Sequence, residues 1–178
     1  VAMVPDEVRA LVDYCDERSL PLWLVSEQRS RFNYHFNDRV PVVMAEIHTE
    51  IPERCDLHTM LQEPVVKAVM FLTAQEVREG PLSFMPHARS TQWFIHGQDI
   101  IPAEGGKLPA MRFMAEANGW TPDELMAFGD SENDNEMLRY AGTGVAMGNA
   151  LEETKAASDY VTDDCDDEGV AHALAHFA

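Results

Sequence analysis

Ala127-Phe128-Gly129-Asp130-Ser131-Glu132-Asn133-Asp134-Asn135-Glu136-Met137-Leu138 sets two carboxylates four residues apart, at the point where an apolar run gives way to a helical pattern. Leu125-Met126-Ala127-Phe128 reads as a short strand ending at Gly129, and residues 133–141 have helical spacing, so the motif lies at the carboxyl end of a strand. In open α/β sheets that edge holds the ligands. Gly129 permits a tight turn, Asp130 and Asp134 offer hard oxygen ligands, and the following helix turns its positive end toward anions. Magnesium with a phosphate suits such a place. The plainer alternative is an acidic helix cap, in which Asp130, Ser131 or Asn133 only satisfies free amides at the helix start.

The flanking sequence decides between them. Upstream, Gly105-Gly106-Lys107 opens a helix that runs through Leu108, Met111, Phe113, Met114 and Ala117 and closes at Asn118-Gly119. Downstream, Gly144-Val145-Ala146-Met147-Gly148-Asn149-Ala150 reads as a strand and a turn into a helix. Ser158-Asp159-Tyr160-Val161-Thr162 gives another strand, and Glu168-Gly169-Val170 opens a last helix. The repeated helix and strand predict a parallel sheet covered on both faces.

This order of a lysine helix, Gly-Asp-x-x-Asn-Asp, Val-Ala-Met-Gly-Asn-Ala and Asp-Tyr-Val-Thr followed by Glu-Gly-Val resembles the haloacid dehalogenase superfamily, and within it the Cof-type hydrolases. The resemblance is specific from about Trp93 to the end of the chain. It implies an α/β fold in which residues 103–178 are the C-terminal half of a Rossmann-like core and residues 1–102 are an inserted α+β cap that selects the substrate. It also implies phosphatase activity on small phosphorylated metabolites such as sugar phosphates, with Mg2+ as cofactor. On this basis Lys107 pairs with the nucleophilic carboxylate and the phosphoryl oxygens, and Asp130 is a magnesium ligand. Asp134 completes the acidic site by steering the lysine or a metal-bound water, and Asn133 lies near the phosphate.

One motif of that family is absent. Its members begin with a strand ending in Asp-x-Asp, whose first carboxylate attacks phosphorus to form an aspartyl-phosphate. No such strand precedes Lys107; Asp164-Cys165-Asp166 is the one Asp-x-Asp in the chain, and its setting in 162–168 reads as a solvated loop. Ser26, after Leu22-Trp23-Leu24-Val25, is a superficial candidate for the family's second motif but falls in the cap. Because the sequence opens at Val1 inside what reads as the first cap helix, the expectation is a fragment whose partner is the missing N-terminal segment. A non-catalytic binding module is the alternative if the chain is complete.

Composition restricts the partners. Thirteen basic against thirty-one acidic residues give a formal charge of -18, which repels nucleic acid and anionic membranes. A phosphorylated substrate would need local positive charge, from Lys107, a metal and the candidate cap cations Lys67, Arg29 and Arg31, which otherwise read as ordinary surface charge. Cys15, Cys55 and Cys165 form no Cys-x-x-Cys pair and suit a reducing compartment, and no apolar run approaches a membrane span, so the expected location is cytoplasmic.

In the first part of the chain, 5–18 reads as an amphipathic helix, 21–25 as a strand, 57–62 and 74–79 as short helices and 65–72 as a strand. Residues 32–36 and 40–47 read as two strands joined by a turn at Asn37-Asp38, and 92–101 as the last strand before a hinge at 102–105. His172 and His176 share a helical face, as zinc ligands do, although a surface helix end explains them as well. His87 and His96 are candidates to face a cleft, the remaining histidines show no paired spacing, and Met111, Met114, Met126, Met137 and Met147 fall at core positions.

Overall fold

The computed structural model describes residues 1–178 as two compact units, Val1–Gly105 and Gly106–Ala178. The class is mixed α/β with a parallel sheet. No helix is long and apolar enough to cross a membrane.

The first unit opens with helix α1 (Pro5–Glu17), started by a proline that needs no N–H there and buried along Val8, Leu11, Val12 and Cys15. Strands β1 (Leu22–Ser26), β2 (Ser30–Phe32), β3 (Val65–Met70), β4 (Ala88–Phe94) and β5 (Gly97–Pro102) form one antiparallel sheet in the order β2-β1-β3-β5-β4. Helix α2 (Arg39–Glu46) packs with Phe32, Val69 and Phe71. The larger core gathers α1, β1, β3 and the short helix α3 (Ala74–Glu79) around Leu11, Leu24, Met70 and Val77. A capping box between Thr73 and Glu76 starts α3, and the Arg39 guanidinium beside Glu76 holds its carboxyl at about 2.

Three readings of this unit are corrected. Residues 40–47 are not a strand, and Asn37-Asp38 is not a hairpin turn. Val40, Val43 and Met44 recur at helical spacing and are buried on one face of α2, Pro41 sits in the first turn where its missing N–H costs nothing, and the Asn37 side chain accepts from the Arg39 amide at 3.0 Å. The strand expected over 32–36 stops at Phe32. There Asn33 replaces ladder bonds with its own amide, accepting from Leu22 N at 3.1 Å and donating to Leu20 O at 2.8 Å, and leaves Tyr34 and Phe36 exposed. The single strand expected over 92–101 is the hairpin β4–β5, which turns at Ile95-His96.

The second unit alternates helix α4 (Lys107–Asn118), strand β6 (Met126–Gly129), helix α5 (Asn135–Tyr140), strand β7 (Thr143–Ala146), helix α6 (Glu152–Lys155), strand β8 (Tyr160–Val161) and helix α7 (Gly169–Phe177). The three strands are parallel in the order β6-β7-β8, and β6 is an edge. Met111 and Met137 pack against Ala127, Leu138 and Ala141, and Met147 is buried, as expected of core methionines. Met114 is not: with Phe113 it is more than half exposed, because α4 buries only Ala115.

Gln98 is an anomaly in the first unit. It is fully buried on β5, opposite Met70, and neither its amide oxygen nor its amide nitrogen has a partner. Such a group costs about 1–3 kcal/mol, so Gln98→Met, close in shape and without the amide, should stabilise the protein by about 1 kcal/mol. Urea unfolding checks this; a lower midpoint for the variant would show that the amide is satisfied in solution.

Candidate active site

The parallel register of β6 and β7, with Gly129 opposite Ala146, brings the ends of both strands to one edge of the sheet, and the chain leaving β6 carries the acidic motif. The edge is tied together by backbone bonds, Met147 N to Gly129 O at 2.9 Å and Leu151 N to Asp130 O at 3.1 Å. From Glu132 the motif turns through one 3-10 turn (Glu132–Asp134) into α5.

Asp134 organises this edge. Its side chain is 1% exposed, and its carboxylate accepts from the amides of Asp130 at 3.1 Å and Ser131 at 3.3 Å and from Lys107 Nζ at 2.5 Å. A buried charge persists only when it is paired and hydrogen-bonded, and all three donors supply that here. Gly129 makes the arrangement sterically possible, since a Cβ there would stand 2.4 Å from Asp134 Cβ.

Lys107 is the first residue of α4, where a cation meets the positive end of a helix and is disfavoured unless compensated. Asp134 compensates it. The residue before it, Gly106, has φ of 123°, a conformation open to glycine, and this brings the chain into the helix with the lysine at its start. The Lys107 side chain is 48% exposed, and an ammonium with three donors keeps some for an anion.

Asp130 is exposed, with the Ser131 hydroxyl donating to its carboxylate at 3.3 Å. An accessible hard-oxygen ligand beside a buried carboxylate and an ammonium fits magnesium, which binds through one or two carboxylates and keeps water on its other positions. Asn133 is half-buried next to it, with Oδ1 enclosed and unpartnered. Thus Lys107, Asp130, Asn133 and Asp134 all lie at one sheet edge.

The other expected residues each have surroundings of their own. Arg29 is paired with Glu63, Arg31 with Glu53 at 3.0 Å and Lys67 with Asp99 at 3.1 Å, so each candidate cap cation already has a carboxylate. Ser26 donates to Glu63 and accepts from the amides of Gln28 and Arg29, the work of a turn. His87 Nδ1 meets Glu7 at 2.7 Å, and His96 Nδ1 is buried without a partner. His172 pairs with Asp163 and His176 stacks on Tyr160 at 4.6 Å, so the two histidines serve different neighbours. Asp164, Cys165 and Asp166 stand close together on a solvated turn. A cluster of His35 and His58 with Asp13, Asp16 and Asp56 in the first unit carries no sequence signal, because its members come from three separated segments.

Residues 2–174 match a family described as haloacid dehalogenase-like hydrolase. Among related proteins, YkrA of Bacillus subtilis (strain 168) is 29% identical over 94% of this chain and 64% of its own length. A phosphoglycolate phosphatase of Methanothermobacter thermautotrophicus is 33% identical over 80% of this chain and 67% of its own. Among solved structures, the HAD subclass IIB sugar phosphatase BT4131 superposes with a TM-score of 0.86 at 29% identity, over 99% of this chain and 67% of that one. The chain therefore spans about two thirds of the length of the relatives it matches.

Asp134→Ala should cost about 3 kcal/mol of stability, because it strips a buried, triply bonded carboxylate and leaves two amides and an ammonium without their acceptor. Chemical denaturation of the variant measures the cost, and a loss below 1 kcal/mol would mean that the loop holds without it.

Proposed function

Because the chain belongs to the haloacid dehalogenase-like hydrolase family, we propose that the protein works as a magnesium-dependent phosphatase of small phosphorylated metabolites such as sugar phosphates. The observation that carries this reading is the Lys107–Asp134 pair beside the accessible Asp130 at the carboxyl edge of a parallel sheet.

In this reading Lys107 binds the phosphoryl oxygens and stabilises the charge that accumulates on them during transfer. Asp134 is a positioning residue, since it touches the ammonium and the amides of the loop rather than the reacting group. It fixes Lys107 and sets the Asp130–Ser131 backbone before substrate arrives, so that no reorganisation is needed during the reaction. Asn133 assists on the phosphate side. Asp130 would hold Mg2+, which when bound would neutralise phosphoryl oxygens and orient the group for in-line displacement.

The attacking carboxylate of an aspartyl-phosphate pathway belongs, in this proposal, to a segment outside the present sequence, one strand of which pairs with the free edge of β6. Three features support that: no Asp-x-Asp precedes Lys107, β6 has a neighbour on one side only, and Phe113 and Met114 on α4 expose an apolar surface. The unit Val1–Gly105 acts as the cap that selects the substrate, which its helices and antiparallel sheet support. The reading includes a cytoplasmic location, in keeping with three unbridged cysteines.

Full-length protein should release phosphate from p-nitrophenyl phosphate in the presence of magnesium and lose that activity in EDTA. Lys107→Ala and Asp130→Ala should each lower kcat/KM by about 100-fold or more. Turnover that survives the chelator or either substitution would refute the assignment.

A further inference from the structure

In the first unit, an open cavity of about 500 Å³ is lined by residues of three segments far apart in sequence: Asp16 from α1, Asn33, Tyr34 and His35 from the turn after β2, and residues 55–58. His58 stands at its wall in an unusual position. Its Nε2 lies 2.8 Å from Asp13 Oδ1 on α1, and its Nδ1 lies 2.9 Å from Asp56 Oδ1 in its own turn and 3.9 Å from Asp16 Oδ2. His35 Nε2 meets the other oxygen of Asp16 at 3.1 Å. The ionisable groups around His58 are thus Asp13 and Asp16 from α1, His35 and Tyr34 from the turn after β2, and Asp56 and Cys55 from its own turn.

The chemistry follows from the donor inventory. A carboxylate can only accept, and a neutral imidazole has one N–H to give. With carboxylates at hydrogen-bond distance from both ring nitrogens, the neutral ring can satisfy one and must turn a lone pair toward the other. Only the imidazolium satisfies both.

We propose that His58 is the proton-operated pin of a clasp that holds α1 against the turns at 33–35 and 55–58, closed while the ring carries two protons and loosened at the cavity wall when it loses one. The hydrogen bond to Asp13, followed by that to Asp56, raises the proton affinity of His58 above the ordinary value of 6.5. A raised affinity in the folded state gives stabilisation that is complete below 6.5 and fades as pH climbs through the folded midpoint. The clasp therefore tightens on acidification and slackens on the alkaline side. His35, sharing Asp16, closes the third side of the same cluster.

The experiment is an NMR titration of the histidine ring protons of the full chain between pH 5 and 9, with hydrogen exchange followed across the same range. The resonance that vanishes in His58→Gln should titrate above 6.5, and Asp13→Asn and Asp56→Asn should each move its midpoint down. Amide exchange at 33–35 and 55–58, corrected for intrinsic rates, should accelerate with pH in the wild type and lose that dependence in His58→Gln. A His58 midpoint at or below 6.5, or one indifferent to both aspartate changes, would overturn the clasp. Should His58→Gln fail to fold, the two Asn variants, which leave the ring in place, still report the midpoint.

Discussion

The requirement that a buried carboxylate be fully satisfied governs the second unit. Asp134 has almost no solvent, so its charge is sustained by the ammonium of Lys107 and by two amides of the turn that leaves β6. Three features make this possible: the glycine ahead of α4 that sets the lysine at its start, the close approach at Gly129, and the turn that brings the amides of both Asp130 and Ser131 over the carboxylate. The same bonds that satisfy the charge also aim the cation and leave Asp130 outward. Stability and preorganisation here come from one set of contacts.

The two units solve the burial problem differently. The first is an antiparallel sheet whose core lies mainly with α1 and α3, with α2 packed on Phe32, Val69 and Phe71, and its cations are neutralised locally by carboxylates. The second is a three-stranded parallel sheet with its chemistry gathered at the carboxyl ends of the strands, and its first helix hides little apolar surface. In a chain of formal charge -18, Lys107 is paired with a buried carboxylate and still leaves much of its side chain in solvent, so donors remain for an anion at this edge.

The second unit was legible in the sequence because glycines, acidic residues and apolar runs all mark the same boundaries. The helix opened by Lys107, the strand ending at Gly129 and the turn beyond it stand where the spacing puts them. The first unit was less legible. Val40-Pro41-Val42-Val43 looks like a strand because β-branched residues favour strands, yet tertiary packing of Val40, Val43 and Met44 outweighs that preference. The end of β2 depends on Asn33 substituting for backbone partners, a choice that composition does not announce. Arg29 and Arg31 read mainly as surface charge with a lesser claim on substrate, and their pairing stayed hidden because their carboxylate partners, Glu63 and Glu53, are 34 and 22 residues away, a separation that no local pattern encodes. The clasp around His58 was hidden for the same reason.

The register of the first sheet also orders its assembly. Strands β4 and β5 meet through a turn of two residues, whereas Leu22 of β1 must find Met70 of β3 across everything between them, including α2 and the turns at 33–35 and 55–58. Closing so long a loop costs chain entropy before any contact repays it. The hairpin can therefore form early and offer β5 as a template on which β3 lines up, while β1 completes the sheet late. A chain refolding from its full length would pass through a state in which β3 is paired on one side only. In that interval Val65-Val66-Lys67-Ala68-Val69-Met70, apolar apart from its lysine, presents an open strand edge to its neighbours, and refolding at high concentration would tax this protein most there.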